Sequence, residues 1–289
     1  MLEETEAVQA LLDLAFREDV GPGDITTDAV VPEDARATAR LVAKTQPALV
    51  LYGLKVFAEV FRRQDDTVWV ELLAKDGDLV PAGTVVANIN GPARSMLTAE
   101  RLALNLLMRL SGVATSTRAM KMVLKDHPTV KLLDTRKTTP GLRALERAAV
   151  RAGGGTNHRY GLADGVLIKD NHVAVAGGVK NAIQRARAHV HHLIRIECEV
   201  SDLPGVKDAL EAGADAILLD NMDAAAMREA VVLVRGQPRP VFVEASGNMT
   251  MKRLVEVAST GVDGISVGAI THSAPAVDFS LEFTPAPAT

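Results

Sequence analysis

A chain of 289 residues, 47% hydrophobic and 24% charged, has enough length to bury a sizeable core as one large barrel or two smaller domains. Its net charge of −4 and 3% aromatic content argue against a general nucleic-acid binder. The single cysteine, Cys198, excludes an internal disulfide framework and fits a reducing cytoplasm. At the N-terminus Val8, Leu11, Leu12 and Ala15 recur at helical spacing among acids. That predicts an ordinary amphipathic helix rather than a signal peptide, and no run of ~18 apolar residues exists to span a bilayer. Residues 36–43 and 66–73 read as strands and 53–62 as a helix, while the Asp-Gly and Pro-Ala-Gly punctuation within 76–83 marks turns. Residues 98–110 read as a strong helix with Thr98 as its N-cap and Arg101 in its first turns.

After Gly112 the texture changes. Short apolar segments at 130–133, 166–168, 193–198, 216–219, 241–243 and 264–267 alternate with helical stretches, which implies a parallel sheet covered by helices. Three of them vary one unit: Asp164-Gly-Val-Leu-Ile-Lys169, Asp215-Ala-Ile-Leu-Leu-Asp220 and Asp263-Gly-Ile-Ser-Val-Gly268. A turn–strand unit repeated in register suggests an α/β barrel, although an open doubly wound sheet would show similar strands. In a barrel the sixth position of each unit falls at the C-terminal end of its strand, where such enzymes place their chemistry. Those positions hold Lys169, Asp220 and Gly268. The plainer alternative is that Lys169 and Asp220 solvate the rim.

Between Asp134 and His172 the chain holds seven basic and four acidic residues, a net of +3 inside an acidic protein. Such an island suggests a small, highly anionic ligand. Adjacent Arg136 and Lys137 follow a strand end, and two neighbouring cations cannot both enter a dry core, so they face water or an anion. Arg143, Arg147 and Arg151 recur every four residues and read as a solvated helix face. Gly153-Gly154-Gly155 reads as a flexible turn, with little weight as a phosphate loop on its own. His158 taken singly is more often structural than catalytic, and nothing near it forms a nucleophile–base pair. His189, His191 and His192 have no companion ligands at metal spacing and read as surface.

Glu197 and Glu199 share one face of a strand, where two carboxylates call for a metal or a basic ligand group. Glu199 at its strand end and Asp220 at the next could jointly reach ribose hydroxyls or Mg²⁺. The segments from Glu244 to Asn248 and from Val267 to Thr271 each follow a strand with small residues. They are plain turns or backbone cradles for a phosphate.

Together these motifs resemble those of the quinolinate phosphoribosyltransferase family over nearly the whole chain. The N-terminal signature spans Glu18 to Thr27. Glu100-Arg101, Asn105 and the run from Arg109 to Thr115 match the central helix. DTRKTTPGLR, GGGTNHR, LIKDNH, ILLDN, EASGN and VGAITHS follow in order. Arg147 is a departure, standing where lysine is common in the family. The resemblance implies an α/β fold: an N-terminal α/β sandwich domain (1–112, with the tail 271–289 returning to it) and an open, TIM-like α/β barrel (113–270). It implies that Arg136, His158, Arg159 and Lys169 hold the two carboxylates of quinolinate, with Thr135 and Lys137 lining the pocket. Glu199 and Asp220 would take the ribose hydroxyls and Mg²⁺ of phosphoribosyl pyrophosphate. Ser246, Gly247, Asn248, Val267, Gly268 and Ala269 would surround the 5′-phosphate. Lys137, Lys169, Glu199 and Asp220 form the expected catalytic set. Arg101 would come from a neighbouring subunit of a cytoplasmic homodimer, with further assembly of dimers left open. Neither nucleic acid nor membrane is an expected partner. Two rivals stand beside this reading: a paralogue acting on another heterocycle, and a non-catalytic anion binder, which would have no need of Glu199 and Asp220.

Overall fold

The computed structural model describes residues 5–285. They divide into two compact units. One takes in the chain up to Arg118, the segment Thr138–Gly154 and the chain from Thr271 onward; the other takes in Ala119–Lys137 and Gly155–Ile270.

The first unit is built on a four-stranded antiparallel sheet. Helices α1 (Glu6–Asp19) and α2 (Ile25–Val30) precede β1 (Arg36–Ala43), β2 (Ala48–Val50), α3 (Leu54–Gln64), β3 (Trp69–Leu72), β4 (Leu79–Pro81), β5 (Val85–Pro92) and α4 (Ala93–Val123). In β1 alternate side chains are buried through its first half, the two-residue period of a strand with one face on a core. Its partners are β5 and the C-terminal strand β12 (Phe279–Pro285), with Ala39 opposite Ile89 and Phe283. Val8 and Leu12 of α1 pack with Phe57 and Phe61 of α3 and Leu107 and Leu110 of α4 in one cluster. Of the two ends assigned to this domain, residues 1–4 and 286–289 lie outside the described residues.

Two expectations change in α4. The helix begins at Ala93, not Thr98, and runs for 31 residues. Thr98 lies within it, where its hydroxyl reaches the Asp24 carboxylate at 3.3 Å. Arg101 is accordingly two turns inside the helix rather than near its start. The compact units also depart from a division at residue 112, because the first unit runs on to Arg118 and includes 138–154. A buried knot accounts for that segment. α5 (Arg143–Ala152) carries Glu146, fully buried. Its carboxylate accepts from Arg109 Nη2 at 2.8 Å and from the Thr139 amide at 3.0 Å, and Arg109 also donates to the carbonyls of Thr271 and Ala274. Leu145 joins the hydrophobic cluster beside it. Of the supposedly solvated arginines, Arg143 and Arg147 are half-buried and only Arg151 is exposed. Gly153 is no mere flexible turn, since a Cβ there would lie 2.4 Å from the Ala114 carbonyl oxygen.

The second unit is a six-stranded parallel sheet with α-helical crossovers. Its strands are β6 (Lys131–Leu133), β7 (Val166–Ile168), β8 (Ile196–Val200), β9 (Ala216–Asp220), β10 (Phe242–Ser246) and β11 (Gly264–Ser266), in the order β6-β11-β10-β9-β8-β7. Among the described residues the edge strands β6 and β7 do not pair, which is the open form of an α/β barrel. Helices α6 (Asp170–Ala176), α7 (Val179–His189), α8 (Leu203–Glu211), α9 (Ala224–Arg235), α10 (Met251–Ala258) and α11 (Ala269–His272) follow their strands. Asp202, Asp223 and Thr250 cap α8, α9 and α10, each side chain accepting an N–H of the first turn. Strands β8 and β9 are buried along almost their whole length, as in a sheet covered on both faces; β9 is apolar up to its final Asp220, while β8 carries Glu197 and Glu199. No helix among the described residues is long and apolar enough to cross a membrane.

Candidate functional site

Because the six strands run parallel, their C-terminal ends share one edge of the sheet, and nearly every expected residue sits there. Lys169 follows β7, Glu199 is the penultimate residue of β8, and Asp220 and Ser246 end β9 and β10. Thr135, Arg136 and Lys137 leave the end of β6, with the Lys137 amide donating to Thr135 Oγ1 at 3.0 Å. Arg101 is the one expected site residue that belongs to the first unit, on α4, with its side chain exposed.

Charges at this edge face others of the same sign. Arg159 is half-buried and donates from Nη1 to the Gly165 carbonyl at 2.8 Å. Burial, and after it the charge of Arg136, destabilises its protonated form, against support from Asp164 and Glu197. Two guanidinium groups close enough to repel are suited to sharing an anion. On the neighbouring strands Glu199 is held above the usual carboxyl range, first by burial and next by the charge of Asp220. Lys169 and Lys137 act in the opposite direction, so both lysines lie within electrostatic reach of that acid pair. The Asp220 carboxylate accepts from Asn221 Nδ2 at 2.8 Å.

His158 lies over a buried acid group that sequence patterns only half disclosed. Asp134, with no exposure, accepts from the His158 amide and from Asn157 Nδ2, both at 2.6 Å. The imidazole Nε2 is 3.0 Å from Glu197 Oε2 and 3.6 Å from Glu244 Oε2. Burial disfavours the imidazolium, but the Glu197 hydrogen bond and the surrounding carboxylates outweigh it and raise the ring's pKa. Glu244 is pushed up to about 8, by burial and then by the Glu197 charge, so its carboxyl holds a proton at neutral pH. The sequence pattern pairs Glu197 with Glu199 and places Glu244 only at the start of a glycine loop. The available signal was an acid inside the otherwise apolar run 241–245.

The two loops expected around a phosphate differ in kind. Gly247 has φ +104°, and a Cβ there would fall 2.1 Å from Asn221 Oδ1, so no other residue fits that turn. Asn248 also has positive φ, at 45°. Val267 departs from the backbone-cradle idea, since its N–H is bonded to the Leu133 carbonyl at 2.9 Å. Gly268 and Ala269 follow it, half-buried, with Ala269 opening α11. Cys198 is buried and its thiol is pushed up to about 12 by burial, which removes it from nucleophilic chemistry. His189, His191 and His192 are exposed.

Comparison with known proteins gives a consistent result. Residues 24–111 match the family described as quinolinate phosphoribosyl transferase, N-terminal domain, and residues 113–282 match its C-terminal domain. The chain is 42% identical over 277 residues to a probable nicotinate-nucleotide pyrophosphorylase (carboxylating) of Bacillus subtilis, covering 96% of this chain and 93% of that protein. It is 44% identical over 265 residues to the protein of the same description from Synechocystis, covering 92% and 88%. Among solved structures, NadC from Streptococcus pyogenes superposes with a TM-score of 0.90 at 41% identity, covering 96% and 97% of the two chains. The nicotinate-nucleotide pyrophosphorylase of Francisella tularensis gives 0.91 at 38% identity, covering 98% and 99%.

Proposed function

The chain belongs to the quinolinate phosphoribosyltransferase family, and on that premise we propose that it joins quinolinate to 5-phosphoribosyl 1-pyrophosphate, releasing pyrophosphate and CO₂ and leaving nicotinate mononucleotide for NAD biosynthesis. The observation that carries this reading is the mutual repulsion of Arg136 and Arg159 on one side of the edge and of Glu199 and Asp220 on the other. Quinolinate is a dianion whose planar carboxylates suit two guanidinium forks, with Lys169 completing the clamp and Thr135 and Lys137 beside it. The ring nitrogen displaces pyrophosphate at the ribose C1 through a cationic state, which the carboxylates of Glu199 and Asp220 stabilise. Lys137 and Lys169 offset the charge of those acids and of the substrates around them. With the nitrogen quaternary, the ring accepts the electron pair of the departing 2-carboxylate, and a proton takes its place; no organic cofactor is needed.

Glu199 and Asp220 are hard oxygen donors whose repulsion a divalent cation relieves, which fits Mg²⁺. Bound there, Mg²⁺ would neutralise the pyrophosphate leaving group. Ser246, Gly247, Asn248, Gly268 and Ala269 are assigned to the 5′-phosphate, with Val267 leading into that loop. The enzyme acts in the cytoplasm, a reading supported by its single cysteine.

Purified protein should form nicotinate mononucleotide from the two substrates only with Mg²⁺ present. Equal activity with nicotinate, or none with quinolinate, would overturn the assignment. Arg101 is assigned to the pocket of a partner in a homodimer. Arg101→Ala and Lys169→Ala should each be nearly inactive alone, yet co-expression should restore about a quarter of full activity, because about half the dimers are mixed and each of those has one intact site. If mixed dimers form and stay inactive, Arg101 does not serve a neighbouring site.

A further inference from the structure

His158 was expected to touch quinolinate, but both of its ring nitrogens are engaged by the protein itself. Nδ1 accepts a hydrogen bond from the backbone N–H of Arg159 at 2.7 Å. A nitrogen that accepts cannot carry the proton, so this network assigns the proton to Nε2, which faces Glu197 at 3.0 Å and Glu244 at 3.6 Å. The His158 amide is in turn held by Asp134. The same assignment disqualifies the trio of His158, Glu197 and Glu244 as a cation site, although their ligand atoms lie within 4.8 Å of one another, because a protonated nitrogen cannot ligate a metal.

We propose that His158 is a positioning residue, which acts by fixing the Arg159 main chain from behind and makes no contact with quinolinate through its ring nitrogens. The inference rests on the proposed clamp. The need for such a brace is electrostatic, since Arg159 has to be kept beside a like-charged Arg136 while no anion is bound. Asp134 and Nδ1 hold two successive amides, those of His158 and Arg159. Glu197 holds the ring and also supports the Arg159 charge. Glu244, carrying a proton, fills the space behind without adding a second negative charge.

A double-mutant cycle on quinolinate affinity tests this, with calorimetric Kd as the readout and phosphoribosyl pyrophosphate affinity and Tm as controls. Asparagine keeps an acceptor where Nδ1 lies, while glutamine keeps the reach to Glu197 and lacks that acceptor. His158→Gln should weaken quinolinate binding about tenfold or more and His158→Asn clearly less, whereas in an Arg159→Ala background either change should cost less than about twofold. Additive losses in that background, or Asn weaker than Gln, overturn the inference. If Arg159→Ala by itself binds quinolinate normally, the clamp reading fails instead. Should the variants not fold, the unmodified protein still decides: at a pH above the ring's raised pKa, ¹⁵N spectra of histidine-labelled enzyme should hold one neutral Nε2–H ring whose shifts persist at saturating quinolinate. A ring whose tautomer or charge changes with quinolinate overturns it.

Discussion

The two ends of the parallel sheet treat charge in opposite ways. At the N-terminal ends of the strands two aspartates each have an arginine partner. Asp215, just before β9, takes Arg187 Nη2 at 2.6 Å and the Ile196 amide at 2.8 Å. Asp263, just before β11, repeats the arrangement with Arg235 at 2.7 Å and the Val243 amide at 2.8 Å. At the C-terminal ends Arg136 repels Arg159 and Asp220 repels Glu199. The first end is organised for stability, while the second keeps like charges beside one another, as the proposed anion and cation sites would require. Asp164, in the repeat's first copy, shows the boundary between them: it caps a loop through the amides of Tyr160 and Gly161, not the edge of a neighbouring strand.

Substitutions at the two ends should therefore have opposite signatures. The largest effect belongs to the C-terminal end. Arg159→Ala should weaken quinolinate binding by roughly 2–5 kcal/mol, as for one partner of a desolvated charge pair, with little change for phosphoribosyl pyrophosphate. Titration calorimetry of both ligands checks it. Asp220→Ala should instead abolish turnover and its metal dependence while quinolinate still binds.

Next comes the N-terminal end. Asp215→Ala strands the Ile196 amide and Arg187, so denaturant unfolding should show a loss of about 1–3 kcal/mol. Its kcat should stay near that of the unmodified enzyme. A dead but stable Asp215→Ala protein would erase the contrast.

A third effect is set by pH. A carboxyl whose pKa is raised on folding holds a proton that the unfolded chain releases, so its stabilisation is full below the unfolded value and is lost as pH rises through the folded one. For Glu244 that window runs from the ordinary carboxyl range to about 8, and the His158 shift has the same sign from its unfolded value upward. Stability should fall as pH rises across the window by at most ~1.4 kcal/mol per pH unit for each such proton. Glu244→Gln, a neutral isostere, should flatten the slope; an unchanged slope in thermal melts would show that Glu244 is ionised throughout.

The smallest expected change is a gain. Glu199→Gln removes one member of a repelling pair, so stability to denaturant should hold or rise slightly, by up to about 1 kcal/mol, as turnover collapses. A large loss of stability would mean that Glu199 is structurally paired rather than waiting for a ligand.

Periodicity and motif spacing were sufficient for the strands of the second unit, for the C-terminal-end positions of Lys169 and Asp220, and for the cationic run after Asp134. Each depends on a local pattern: apolar runs for covered strands, a repeated turn unit, adjacent charges that cannot enter a core. What the sequence by itself determined, then, was the family, the parallel architecture and which residues stand at the C-terminal edge of its sheet. The tertiary structure alone decided that Glu146 locks 138–154 into the first unit through Arg109, that α4 reaches back to Ala93, and that Glu244 joins Glu197 beneath His158. The first and last of these join residues that are distant in the chain, Arg109 to Glu146 and His158 to Glu244, and a buried charge reveals its partner only when the fold has removed water from both.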